Sequence, residues 1–244
     1  MCFNSTTSLV AFSISVVCSA YLYYNGTVHN NKSDVFFSVV VFLIGSMQLV
    51  EYFLWENQKC DKTNHIFSLF IVVVLTCQTI IWCLVYYYLY PKNRYFNNTI
   101  IMSYIFICIC FFVYMMYYLN KFKLCSKPSA TSCRLKWAPY ELMASNNVMM
   151  FFIHIALYSS LGLIIGVEII RNHLEDVFKY KMRYLFIPVA FILSSLYVLI
   201  KEINLSVNVI KNPYSLLFLP YADVFGSVFC FSAVLLGIIS VLHI

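Results

Sequence analysis

From Val35 to Trp55 the chain reads VFFSVVVFLIGSMQLVEYFLW, twenty-one residues with a single charge, Glu51. At 1.5 Å per residue, a helix of about this length crosses the roughly 30 Å of bilayer hydrocarbon. Comparable apolar runs occupy residues 8–24, 66–90, 99–119, 148–170, 184–200 and 221–241, separated by polar, Gly- or Pro-bearing segments. Open sheets are excluded at that depth, where unpaired backbone groups find no water. The pattern predicts an all-α fold, a polytopic membrane bundle of about seven transmembrane helices, with residues 1–244 in a single domain and no repeat.

Composition narrows the function classes. With 62% hydrophobic and only 11% charged residues, the chain is no ordinary soluble domain. Its formal charge of +6 comes from Lys and Arg lying almost wholly between the apolar runs. No segment is polar or long enough to form a basic face, so no nucleic-acid partner is expected and the lipid bilayer is. The stretch from Asn120 to Ala138, with Lys121, Lys123, Lys127, Arg134 and Lys136, reads as a loop that meets headgroups.

Local signals place the ends. Ser5, Thr6 or Thr7 can cap the first helix, Asn25-Gly26 is expected to end it, Pro91 stops the third, and Pro139 suits the first turn of the fifth. The first run is read as retained: Cys18, Ser19 and Ala20 resemble a cleavage site, but no basic residue precedes Lys32. Six of the ten cysteines (18, 77, 83, 108, 110 and 230) fall in apolar runs and read as packing residues. Of the loop cysteines Cys60, Cys125 and Cys133, the Cys125–Cys133 pair can bond if its loop faces an oxidising compartment.

Seven spans put the termini on opposite sides. Naming the N-terminal side the near side, its loops carry nine basic residues against seven on the far side. That margin of two favours a cytosolic N-terminus, with the C-terminus opposite. The sequons at Asn25, Asn31 and Asn97 then fall on the far, non-cytosolic side.

A carboxylate inside an apolar run usually faces a helix, a partner or water rather than lipid, because desolvating it costs several kcal/mol. Glu51 lies one turn, roughly 6 Å, inside Trp55, and Gln48 lies one turn deeper on the same face. His154, about six residues into the fifth run, sits at a similar depth of roughly 9 Å. Asp223 opens the last run on the near side and Cys2 precedes the first, so four groups share one depth. Asn146, Asn147, Tyr158 and Gln78 stand near them. Cys2, Glu51 and His154 make a donor set suited to zinc or another transition metal, and Glu with His can equally relay protons. The plainer reading makes Glu51 helix glue, His154 a packing residue and Asp223 a helix cap.

Familiar seven-helix and hydrolase patterns are missing. A retinal protein needs a lysine within the last span, which has none between Asp223 and Val241, so no retinal is expected. A receptor-like acidic-Arg-Tyr ending is replaced by VYYYLYP, three span histidines for a ceramidase-like zinc site are lacking, and no HExxH occurs.

Three separated segments, MCFNSTTS, SMQLVEYFLW and SVFCFSAVLLG, together resemble an uncharacterised, mostly bacterial family of small multi-helix membrane proteins. Its members begin Met-Cys-Phe-Ser and carry Gln-x-x-Glu-Gly-x-x-Trp in the second helix and a late Trp-Cys-Phe. The match falls on Cys2, Phe3, Gln48, Glu51, Trp55, Cys230 and Phe231, and departs at Asn4, Tyr52 and Phe229. The resemblance implies a multi-helix membrane fold without a known activity, and singles out Cys2, Gln48 and Glu51.

Three functions remain open on the sequence. The first is a channel, transporter or sensor whose near-side polar pocket, built on Glu51, His154, Gln48, Asp223 and Tyr158, handles an ion, proton or small solute. The second is an intramembrane metal-dependent enzyme using Cys2, Glu51 and His154. The third is a structural or interaction protein of the membrane.

Overall fold

The computed structural model describes residues 4–91, 98–128, 135–158, 160 and 237–242. Among these, four helices are long and apolar enough to cross a membrane: α1 (Ser5–Val28), α2 (Lys32–Glu56), α3 (Lys62–Leu89) and α4 (Asn98–Leu119). The chain is therefore a helical membrane protein. Of the further expected spans, Val148–Tyr158 forms helix α6, while residues 161–170, all of 184–200 and 221–236 lie outside the described residues.

The α1–α2 hairpin departs from its sequence signals at both ends of α1. Asn4, rather than Ser5, Thr6 or Thr7, is the N-cap, its Oδ1 accepting the Thr7 N–H at 2.9 Å. The helix also passes straight through Asn25-Gly26 to Val28. That pair is a strong turn signal in isolation, yet here each residue is used by the neighbouring helix. A Cβ on Gly26 would stand 2.7 Å from Val35 Cγ2, so only glycine lets the two helices meet there, and Asn25 Nδ2 donates to Asp34 Oδ2 at 2.6 Å. The chain reverses instead at His29 to Asn31. Asn30 takes φ of 52°, the left-handed region that asparagine tolerates, and Asn31 Oδ1 accepts the first amides of α2 at 3.1 Å (Ser33) and 3.4 Å (Asp34). Deeper in the hairpin Ser19 Oγ donates to the Ser38 carbonyl at 2.8 Å, and Gly45 lies directly against Ser15. Small residues thus zip the pair along its length.

Helix α2 is the centre of the bundle: 67% of its apolar window is buried, against 28% for α1, 39% for α3 and 22% for α4. The outer faces of α1 and α4 stay apolar, as at Val17 and Phe106, which suits contact with lipid tails. Two clusters stack along the bundle. Phe36, Phe37, Val40, Tyr86 and Ile101 pack toward the far side, and Met47, Leu54, Leu75, Met115, Leu119 and Trp137 toward the near side.

The connection after α4 folds back over the near end of the bundle. It contains a two-residue antiparallel ladder, β1 (Lys127–Pro128) with β2 (Leu135–Lys136), and leads into α5 (Ala138–Asn146) with Pro139 in its first turn. Asn147 separates α5 from α6 and caps the latter, its Oδ1 accepting the Met150 N–H at 3.1 Å. Ser126 fastens the connection: its N–H donates to Asn64 Oδ1 at 2.9 Å, its carbonyl accepts from Asn64 Nδ2 at 3.0 Å, and its Oγ accepts the Ala138 N–H at 3.1 Å. All of this is buried, so the paired groups are satisfied without water.

Beside it, Cys125 is bonded to Cys60, with a Cα–Cα separation of 4.9 Å. The conditional Cys125–Cys133 pairing is thereby set aside, since Cys125 is committed to Cys60; Cys133 lies outside the described residues. The fold of the connection onto the start of α3 brings Cys125 to Cys60.

Candidate functional site

Glu51 is one turn from the end of α2 and only 2% exposed. One turn earlier on the same face, Gln48 donates from Nε2 to Glu51 Oε2 at 3.2 Å. The other oxygen, Oε1, accepts the Trp137 indole N–H at 3.0 Å, across 86 residues of sequence. Both carboxylate oxygens are therefore held by donors, one from the helix itself and one from the connection that closes the near end. The Gln48 Oε1, buried beside them, has no hydrogen-bond partner among the described residues.

Trp137 opens α5, and Tyr140 lies one turn on, their rings 5.8 Å apart. Tyr140 in turn stacks on His154 of α6, with ring centroids 5.5 Å apart and planes 21° apart, while its hydroxyl meets His154 Nδ1 at 3.1 Å. Either group can be the donor there, according to the imidazole tautomer. Glu51 and His154 are thus linked through Trp137 and Tyr140.

Beyond the imidazole is a small cavity. It has a volume of about 10 Å³ and is walled by His154, Thr76, Thr79, Cys108, Phe111 and Tyr158 among others. His154 Nε2 and Thr76 Oγ1 both lack hydrogen-bond partners among the described residues. Further in, Tyr158 donates to Gln78 Oε1 at 3.4 Å, a long contact, and Gln78 Nε2 donates to the Leu43 carbonyl of α2 at 2.8 Å. Polar groups therefore descend from the near end of α2 toward the middle of α3.

Of the residues singled out in the sequence, Gln48 and Glu51 touch, His154 belongs to the same polar descent, and Tyr158 and Gln78 extend it. Asn146 and Asn147 are not part of it: Asn146 is exposed and accepts from Ser145 Oγ, and Asn147 is spent on capping α6. Cys2 and Asp223 lie outside the described residues. Among the described residues no three of His, Cys, Asp and Glu come together as a metal-binding group. Trp137, Tyr140 and Thr76 were missed by sequence reasoning. The one signal for the first two was WAPY itself, an aromatic pair three apart around a helix-starting proline within an otherwise basic loop.

Neither a protein-family model nor a curated protein nor a solved structure matches this chain, so the reading of the site rests on its geometry.

Proposed function

We propose that this protein handles a small cation, the proton foremost, at a polar intramembrane site whose charged centre is Glu51, as a transporter, channel or sensor. The observation that carries the reading is the Glu51 carboxylate, buried in the most enclosed helix and held by Gln48 and by Trp137, whose ring neighbours Tyr140, itself in contact with His154. An acidic residue at that depth is a functional feature by default. His154, reached through Trp137 and Tyr140, adds a second side chain that can both accept and donate a proton. The proton also fits the dimensions, because the cavity next to His154 is of water size.

The test is proton flux into proteoliposomes carrying a pH-sensitive dye, comparing the wild type with Glu51→Gln. Glutamine keeps an acceptor for Trp137 and removes the charge. Flux abolished in a variant of unchanged thermal stability supports the reading. Flux unchanged from wild type refutes it, and flux equal to that of empty vesicles in both refutes transport and conduction, leaving only the sensor.

A structural reading has an observation of its own: both Glu51 oxygens are engaged by internal donors, which is how a docking post for the Trp137 connection would look. On that reading Glu51→Gln alters stability and no flux or pH response. The metal-dependent alternative needs Cys2 as a ligand, and metal analysis of the purified protein beside Cys2→Ser decides it.

A further inference from the structure

We propose that the cavity between α3 and α6 is a binding site for one hydrogen-bonding molecule of water size, bridging His154 Nε2 and Thr76 Oγ1. His154 is 4% exposed and Thr76 8%, both residues line one cavity, and these two atoms are left without partners among the described residues. Its volume of about 10 Å³ is what a single water requires. Buried polar atoms are satisfied in native proteins, by water where the protein itself supplies no partner. Phe111, Phe112 and Leu157 supply apolar parts of the lining. With the site filled, the imidazole has a hydrogen-bond partner on both nitrogens, Tyr140 on Nδ1 and the bridging molecule on Nε2. That is the arrangement a proton relay needs, and in this respect the proposal rests on the function proposed above.

Protein carrying ¹⁵N-histidine, in lipid nanodiscs, tests it through magnetisation transfer between long-lived water and the His154 ring, assigned with His154→Gln. The wild type is expected to show the transfer, Thr76→Ser to keep it, and Thr76→Val to lose it. Absence of the transfer in the wild type, or equal transfer in Thr76→Val, overturns the site. Flux is measured separately: bound water with no flux leaves the site standing and removes transport and conduction at Glu51, and flux without bound water does the reverse.

The disulfide carries a second inference independently: the near side, with the N-terminus, faces an oxidising compartment, the reverse of the orientation that the charge margin favours. Cys60 and Cys125 belong to the two near-side connections, after α2 and after α4. Their bond forms as two thiols give up two protons and two electrons to a disulfide-bearing oxidant, which the cytosol does not sustain.

Full-length protein in sealed eukaryotic microsomes tests the orientation, with an N-terminal epitope and maleimide-polymer labelling of thiols before and after reduction. The epitope is expected to be protected from added protease and, once the vesicles are opened with detergent, Cys60 and Cys125 to label only after reduction, as judged against Cys60→Ser and Cys125→Ser. An epitope cleaved in sealed vesicles, or both thiols labelled in opened vesicles without reduction, overturns it.

Discussion

Replacing Trp137 by phenylalanine removes one N–H and part of a ring from the near end of the bundle. Trp137 is 2% exposed, and its Nε1 donates to Glu51 Oε1 at 3.0 Å, so no water replaces the lost donor. A hydrogen bond to a charged acceptor contributes about 1.5–3 kcal/mol. The smaller ring leaves a void worth roughly 1 kcal/mol more, giving about 2.5–4 kcal/mol for Trp137→Phe. Glu51→Leu strands the same N–H from the other side, together with Gln48 Nε2. Removing both partners at once leaves neither of them unpaired, so the double variant should be more stable than the sum of the single losses by about 1.5–3 kcal/mol. Equilibrium unfolding in mixed micelles measures this, followed by a thiol-reactive dye that reports exposure of the buried free cysteines Cys18, Cys83 and Cys108. Losses that add to within about 0.5 kcal/mol would mean that the two side chains are not coupled. The docking of the connection onto Glu51, and the site built on it, would then be wrong.

Other perturbations probe the parts that hold this site in place. In Gly45→Ala the new Cβ would approach Ser15 Oγ to 2.6 Å, against ordinary contacts of about 3.5–4 Å, and α1 must shift. The expected loss is about 1–3 kcal/mol in the same unfolding assay, partly restored by adding Ser15→Gly. Asn64→Leu breaks the bonds to Ser126 and to the Asn57 carbonyl and should lower stability by about 2–4 kcal/mol. It should also speed hydrogen exchange at Ser126, whose amide loses a partner. Cys60→Ser opens a crosslink between residues 65 apart, worth at most about 4 kcal/mol by loop-closure entropy. The measured loss should be smaller, because helices that stay inserted already restrict the unfolded chain, and a reductant should have the same effect on the wild type and none on the variant.

Hydropathy made the spans legible because a bilayer imposes a nearly one-dimensional constraint. A run of the right length must be helical, and its rise per residue assigns a depth to each side chain. That is why Gln48 and Glu51, one turn apart on α2, could be paired from sequence, and why His154 was placed at a similar level. Depth says nothing of rotation about the helix axis or of what a loop does on leaving the membrane. Trp137 was therefore invisible as the partner of Glu51, and Tyr140 as the link to His154, since both come from a connection whose course is decided by Asn64, Ser126 and the Cys60–Cys125 bond.

The sequence by itself thus determined a helical membrane chain, the approximate limits of α1 to α4, and the burial of a carboxylate near the end of α2, all consequences of hydrocarbon rejecting unpaired polar groups. Only the tertiary structure decided that α1 runs through Asn25-Gly26, that Cys60 bonds Cys125, and that Trp137 closes over Glu51. Each of those depends on contacts between segments distant in sequence, where packing against a neighbour outweighs the local preference of the residues themselves.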